Sequence, residues 1–137
     1  MKVVGIELKN SEARFVVLKG SVDNYQVCSL KTNKIKLEDS KSQEKVRQFY
    51  KEISEFLEEH QAEKVGIKER MTKGRFSGSS ISFKMEALFQ MTDNDIQLVH
   101  SMSMKSKLKG LDLEVNGLNK YQEEAFKVAL YLLVLNT

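Results

Sequence analysis

The chain of 137 residues has no proline, no tryptophan and one cysteine, Cys28. A single cysteine cannot close an internal disulfide and leaves no thiolate cluster for zinc, which fits a reducing, cytoplasmic setting. No apolar run approaches the length that spans a bilayer, so no membrane partner is expected. Met1-Lys2-Val3-Val4-Gly5-Ile6 is interrupted at once by Glu7 and Lys9, and lacks the apolar core of a signal peptide. Charge of one sign is also scarce: the formal net charge of +3 does not by itself mark a nucleic-acid binder. What remains, 41% hydrophobic and 30% charged over 137 residues, is ordinary for a globular protein and suits one domain built on one substantial core.

Three short segments rich in Val, Ile, Phe and Tyr come first, Lys2 to Leu8, Ala13 to Lys19 and Asn24 to Leu30, separated by Asn10-Ser11 and Gly20-Ser21. They read as an antiparallel meander. From Ser42 to His60, Val46, Phe49, Tyr50, Ile53, Phe56 and Leu57 recur at helical spacing, with Asp39, Ser40 or Ser42 available as the cap. Lys64 to Glu69 alternates as a fourth strand, with Val65, Ile67 and Glu69 on one face and the lysines on the other. A loop from Arg70 to Ser80 leads into a helix from Ile81 to about Met91. Ile96 to Val99 forms a fifth strand, after which Ser101 can cap a brief basic helix ended by Gly110. Asn119 caps a last helix with Ala125, Val128, Ala129, Leu132 and Leu133 on its apolar stripe. The expected fold is α/β, a five-stranded mixed sheet of order βββαβαβα with helices on its faces.

Glutamate is uncommon in strands, so Glu7 inside Val-Val-Gly-Ile-Glu-Leu and Glu69 closing Val-Gly-Ile-Lys-Glu each need a reason. The plain one is a strand end facing water, or pairing with Lys9, Lys68 or Arg70. The topology supplies another. If strand four lies parallel beside strand one, both glutamates sit at carboxyl ends, where open α/β sheets bind ligands. In the last helix Glu123 and Glu124 point about 100° apart. Glu123 precedes Lys127 by four residues and suits a surface ion pair, whereas Glu124 precedes Val128 and follows the buried stripe. A carboxylate there is costly unless it is solvated or bound to a cation. Glu7, Glu69 and Glu124 are therefore the candidate catalytic and metal-binding residues. Oxygen-only donors favour Mg²⁺ or Mn²⁺, and two such ions could support phosphodiester hydrolysis.

Lys64, Lys68, Arg70, Lys73, Arg75 and Lys84 make the middle of the chain basic, and Lys105, Lys107 and Lys109 add a second cluster, while the first long helix carries Glu44, Glu52, Glu55, Glu58 and Glu59. A basic rim near the carboxylates would attract phosphate, with Lys73, Arg75 and Lys105 as contacts and Phe76 placed to stack on a base. Solvated loops and a tucked-in phenylalanine are the plainer readings of the same residues. Gly74 and Gly78 do not form a P-loop, which removes nucleoside triphosphate hydrolysis. His100 suits a proton relay or, more simply, a surface or capping role; His60 suits a cation at a helix carboxyl end; Cys28 suits the core.

Gly5-Ile6-Glu7-Leu8-Lys9, Lys68-Glu69-Arg70-Met71-Thr72-Lys73-Gly74 and Lys84-Met85-Glu86-Ala87 resemble the signature segments of a small bacterial family of unknown function. The layout more distantly resembles RuvC-type Holliday junction resolvases of the ribonuclease H-like superfamily. That resemblance implies a ribonuclease H-like fold, metal carboxylates at Glu7, Glu69 and Glu124, and a basic residue at Lys105. Two positions depart from the resolvase pattern: Glu7-Leu8-Lys9 stands where an Asp and a nearby Gly are usual, and Tyr121 stands one turn before Glu124. The leading expectation is a Mg²⁺- or Mn²⁺-dependent nuclease acting on DNA or RNA. Its rivals are a non-catalytic nucleic-acid-binding module that keeps the fold, and a protein-interaction module using the acidic helix. Homo-oligomerisation stays open.

Overall fold

The strand β1 (Lys2–Lys9) is buried without interruption from Val3 to Leu8, so both of its faces must be covered. The computed structural model describes residues 1–70 and 79–136. In it β1 pairs antiparallel with β2 (Glu12–Ser21) and parallel with β5 (Lys64–Lys68), and β6 (Ile96–Val99) lies parallel outside β5. Along the other edge β2 carries β3 (Asn24–Val27) opposite Leu18 to Ser21 and β4 (Lys34–Lys36) opposite Glu12 to Arg14. The sheet order is β3-β2-β1-β5-β6 with β4 beside β2. This is the expected mixed sheet with one strand more. The third segment ends at Val27 instead of running to Leu30, which frees the first half of the long β2 edge. Lys34-Ile35-Lys36 fills it, burying Ile35 alone, and a single apolar residue gives no periodicity to read.

Two apolar layers sandwich the sheet. Val4, Ile6, Leu8, Val65 and Ile67 pack on α1 (Gln43–His60) and α2 (Ser80–Gln90), whose Phe49, Ile53, Met85 and Phe89 complete that core. Val3, Val16 and Leu18 pack on the other side against α3 (Ser101–Lys107) and α4 (Glu123–Leu135). Of the three candidate caps for α1, Ser42 is used, its hydroxyl accepting from the Lys45 N–H at 3.2 Å. His60 departs from expectation. Its ring lies 4.5 Å from that of Phe56, and burial, with the charge of Lys2, lowers its pKa, which favours the neutral imidazole over a dipole-stabilised cation. His100, not Ser101, caps α3, its Nδ1 accepting from the Met102 N–H at 3.2 Å. Cys28 is half-buried against the first core.

A single turn of 3₁₀ helix, Lys120–Gln122, precedes α4. Gln122 is buried there, donating to the Phe15 carbonyl of β2 at 3.0 Å while its Oε1 accepts from the Asn119 N–H at 3.0 Å. The capping box begun by Asn119 thus also ties the helix entry to the sheet. One turn further, α4 crosses β1 directly over Gly5. A β-carbon there would overlap the Ala125 carbonyl oxygen and the Ala129 amide nitrogen. Because those atoms are backbone, Gly5→Ala is expected to cost about 3 kcal/mol, the upper end of overpacking effects, in urea unfolding. A loss below about 1 kcal/mol would show that α4 can lift off the sheet cheaply.

Candidate functional site

Beyond Gly5 the chain of β1 reaches Glu7, whose side chain turns to the same face and comes under the first turn of α4. The parallel register pairs Ile6 with Ile67, so the residue of β5 beside Glu7 is Lys68. Glu124 enters from α4, and Lys68 Nζ donates to its Oε1 at 2.7 Å. Lys127, one turn along α4, reaches the other oxygen, Oε2, at 2.9 Å and also lies 3.7 Å from Glu123. Across the antiparallel pair Glu7 faces Arg14, with Nη1 3.6 Å from Oε1. Arg14 is held by Glu12 through its Nε at 2.9 Å and Nη2 at 2.8 Å, and its guanidinium lies over the Tyr121 ring. Two carboxylates, Glu7 and Glu124, thus share a face with Lys68, Lys127 and Arg14.

The two acids respond differently to this setting. Glu7 is only 7% exposed, and burial raises its pKa more than Arg14, the nearest cation, lowers it. Burial also pushes Glu124 up, but the hydrogen bonds from Lys68 and Lys127 outweigh that and hold it below the usual range. Glu124 in turn holds the Lys127 ammonium above its ordinary value through the same bond.

Glu69 does not join them. It lies one residue past the in-register position, with its N–H on the Val99 carbonyl at 2.9 Å, and alternation turns it to the α2 face, where its charge acts on Glu86. Burial, with that of Glu69, raises the Glu86 pKa. The Glu86 Oε2 and Arg70 Nε atoms are buried there without a hydrogen-bond partner among the described residues. Lys73, Arg75 and Phe76 lie outside the described residues. Lys105 projects from α3 into a groove of about 800 Å³ between α3 and α4, which Lys109, Lys127 and Glu124 also line.

The donor set does not suit Mg²⁺ or Mn²⁺ as it stands. Both oxygens of Glu124 already accept from ammonium groups, Glu7 faces a guanidinium, and among the described residues no three carboxylate, His or Cys side chains form a group able to hold a metal ion. The sequence leaves Glu124 either solvated or beside a cation; its side chain is 29% exposed and is bonded by two lysines. Alternation sets Lys68 on the face opposite Val65 and Ile67, where it is a possible partner of Glu7 or Glu69; its bonded partner is Glu124 instead. The signal that identifies it is position: a strand parallel to β1 and next to it has both faces covered, so a lysine within it needs a partner.

A family model described as "Protein of unknown function (DUF3010)" matches residues 1–132, and the chain belongs to that family. No curated protein matches it. Among solved structures the chain is similar to Thermus thermophilus RuvC in complex with Holliday junction substrate, at 15% identity and a TM-score of 0.69, covering 99% of this chain and 94% of that one. It is similar also to Thermus thermophilus RuvC alone, at 16% identity and a TM-score of 0.71, covering 99% and 95%. The likeness is one of fold: the chain has the ribonuclease H-like architecture of RuvC. Among the described residues no helix is long and apolar enough to cross a membrane.

Opposite pH dependences follow for the two acids. The ion pairs of Glu124 contribute stability that is complete above the usual 4.5 and is lost as pH falls through its lower folded value. The contribution of Glu7 is complete below 4.5 and is lost as pH rises through its higher folded value. Relative to wild type, Glu124→Gln should be most destabilised near neutrality and recover in acid, whereas Glu7→Gln should gain as pH rises. Urea unfolding between about pH 3 and 7 measures both. Gaps that change in the same direction would show that the lysines do not distinguish the two carboxylates.

Proposed function

We propose that the chain is a non-catalytic nucleic-acid-binding module on a ribonuclease H-like scaffold, engaging the phosphate backbone through the groove between α3 and α4. The observation that carries this reading is the groove's charge arrangement. Lys105 and Lys109 line it, and Glu124, the one acid in its wall among the described residues, is bonded by two ammonium groups. A phosphate entering there meets lysines and a carboxylate whose repulsion is already cancelled. Met104, Leu108 and Leu113 line the same groove and offer apolar contact to sugars or bases. The Holliday junction held by RuvC in one of the similar structures supports the choice of DNA as the first probe.

A metal-dependent nuclease with Glu7, Glu69 and Glu124 as its catalytic carboxylates is the second reading. One observation favours it, a buried acid at the carboxyl end of β1 facing another on α4. It needs a different arrangement of Lys68 and Glu69 from the one described.

Fluorescence anisotropy with a four-way junction and with single-stranded DNA over a range of salt separates these readings. Lys105→Ala with Lys109→Ala should weaken binding and lower the slope of log K against log salt by about two, roughly one for each lost phosphate contact. An unchanged slope would sink the groove as the binding surface. Cleavage of either DNA in Mn²⁺ that Glu7→Gln and Glu124→Gln each abolish would establish the nuclease instead.

A further inference from the structure

We propose that Lys68 is the chain's own replacement for a bound divalent cation: its ammonium bonds Glu124 on the face that Glu7 shares and holds the first turn of α4 over the ends of β1 and β5. The inference goes beyond nucleic-acid binding and does not depend on it. It rests on the mismatch between a pair of buried or half-buried carboxylates and a donor set unfit for metal.

Three observations place Lys68 in that role. First, its location is imposed by register, since Ile6 pairs with Ile67 at the end of the ladder, Glu7 and Lys68 follow next on their strands, and a slip by one residue would turn Ile67 out of the core. Second, its side chain is 23% exposed and spans two elements, bonding Glu124 across 56 residues of sequence at 2.7 Å. Third, Gly5 and Gly66, the positions preceding Glu7 and Lys68 on the same face, leave α4 low on the sheet, with Gly66 beneath Val128 and Leu132. The helix start therefore descends onto the two strands, and the Glu124 charge acts on Glu7 there, a repulsion that a neighbouring positive charge offsets. A tethered ammonium supplies it with no dependence on metal concentration.

Removing that ammonium should make the space a cation site of hard, oxygen-donor character. Mg²⁺ and Mn²⁺ are commonly held by one or two carboxylates with water completing the shell; loss of the Lys68 ammonium frees Oε1 of Glu124, beside Glu7, while Lys127 stays on Oε2 and Arg14 stays 3.6 Å from Glu7. The probe is Mn²⁺ alone, without nucleic acid, followed by the loss of its free electron paramagnetic resonance signal and by thermal unfolding. Wild type should neither bind Mn²⁺ nor change its melting temperature. Lys68→Met, which keeps an unbranched side chain without the charge, should bind it and gain about 5 °C at ten times the dissociation constant. Glu124→Gln added to Lys68→Met should remove both effects. Lys68→Gln, which keeps an N–H donor for Glu124 and guards against a misfolded first variant, should bind Mn²⁺ as well. Mn²⁺ binding by wild type that Glu124→Gln abolishes would overturn the proposal, as would folded Lys68→Met and Lys68→Gln proteins that ignore the ion. Since no nucleic acid is present, neither result bears on the groove, and failure of the groove to bind DNA leaves the Lys68 result standing.

Discussion

Where α4 crosses β1 nothing but backbone separates them, because Gly5 has no side chain and the Ala125 and Ala129 peptides occupy the place of its β-carbon. This close approach determines how far the helix start reaches over the sheet. It brings Glu124 level with the ends of β1 and β5, so that a carboxylate on a buried stripe ends beside another carboxylate and a strand lysine. The burial of Gln122 against β2 fixes the same helix from its other side, through a hydrogen bond to the Phe15 carbonyl. The electrostatic site is thus a consequence of backbone packing, and its charges are arranged to suit a distance that the glycine sets.

Within that geometry the three cations divide the work by position. Arg14 is held mainly by Glu12 and reaches Glu7 only at 3.6 Å, longer than a hydrogen bond. Lys68 and Lys127 each bond one oxygen of Glu124. The acid in the deeper place therefore has the weaker partner, and the acid nearer solvent has the stronger ones. Burial is the largest influence on both, but at Glu124 the hydrogen bonds and charges of the two lysines together outweigh it, which is why two glutamates on one face shift in opposite directions. The groove beside them inherits a wall in which negative charge is answered locally.

Much of the scaffold was legible in the chain itself. The stripe of Phe49, Ile53, Phe56 and Leu57 located α1, the alternation of Val65, Ile67 and Glu69 located β5, and helix geometry separated Glu124 from Glu123, whose ion pair with Lys127 is present at 3.7 Å. The short strand β4 was not visible, because one buried isoleucine carries no period. The carboxylates were read as a triad because Glu7 and Glu69 both close strands that lie side by side. Proximity of strand ends does not fix the face, however, and the register that puts Lys68 beside Glu7 sends Glu69 toward Glu86.

The amino-acid sequence by itself determined the order of strands and helices apart from β4 and the apolar faces that bury them, with Glu7 and Glu69 near strand ends and Glu124 in the first turn of the last helix. These follow from periodicity and chain connectivity, which are properties of neighbouring residues. Only the tertiary structure decided which acids meet and what neutralises them. Lys68 and Glu124 stand 56 residues apart, and their bond depends on strand register, on the helix height permitted by Gly5 and on the facing of single side chains. A one-residue change in any of these would have set a different charge between the glutamates.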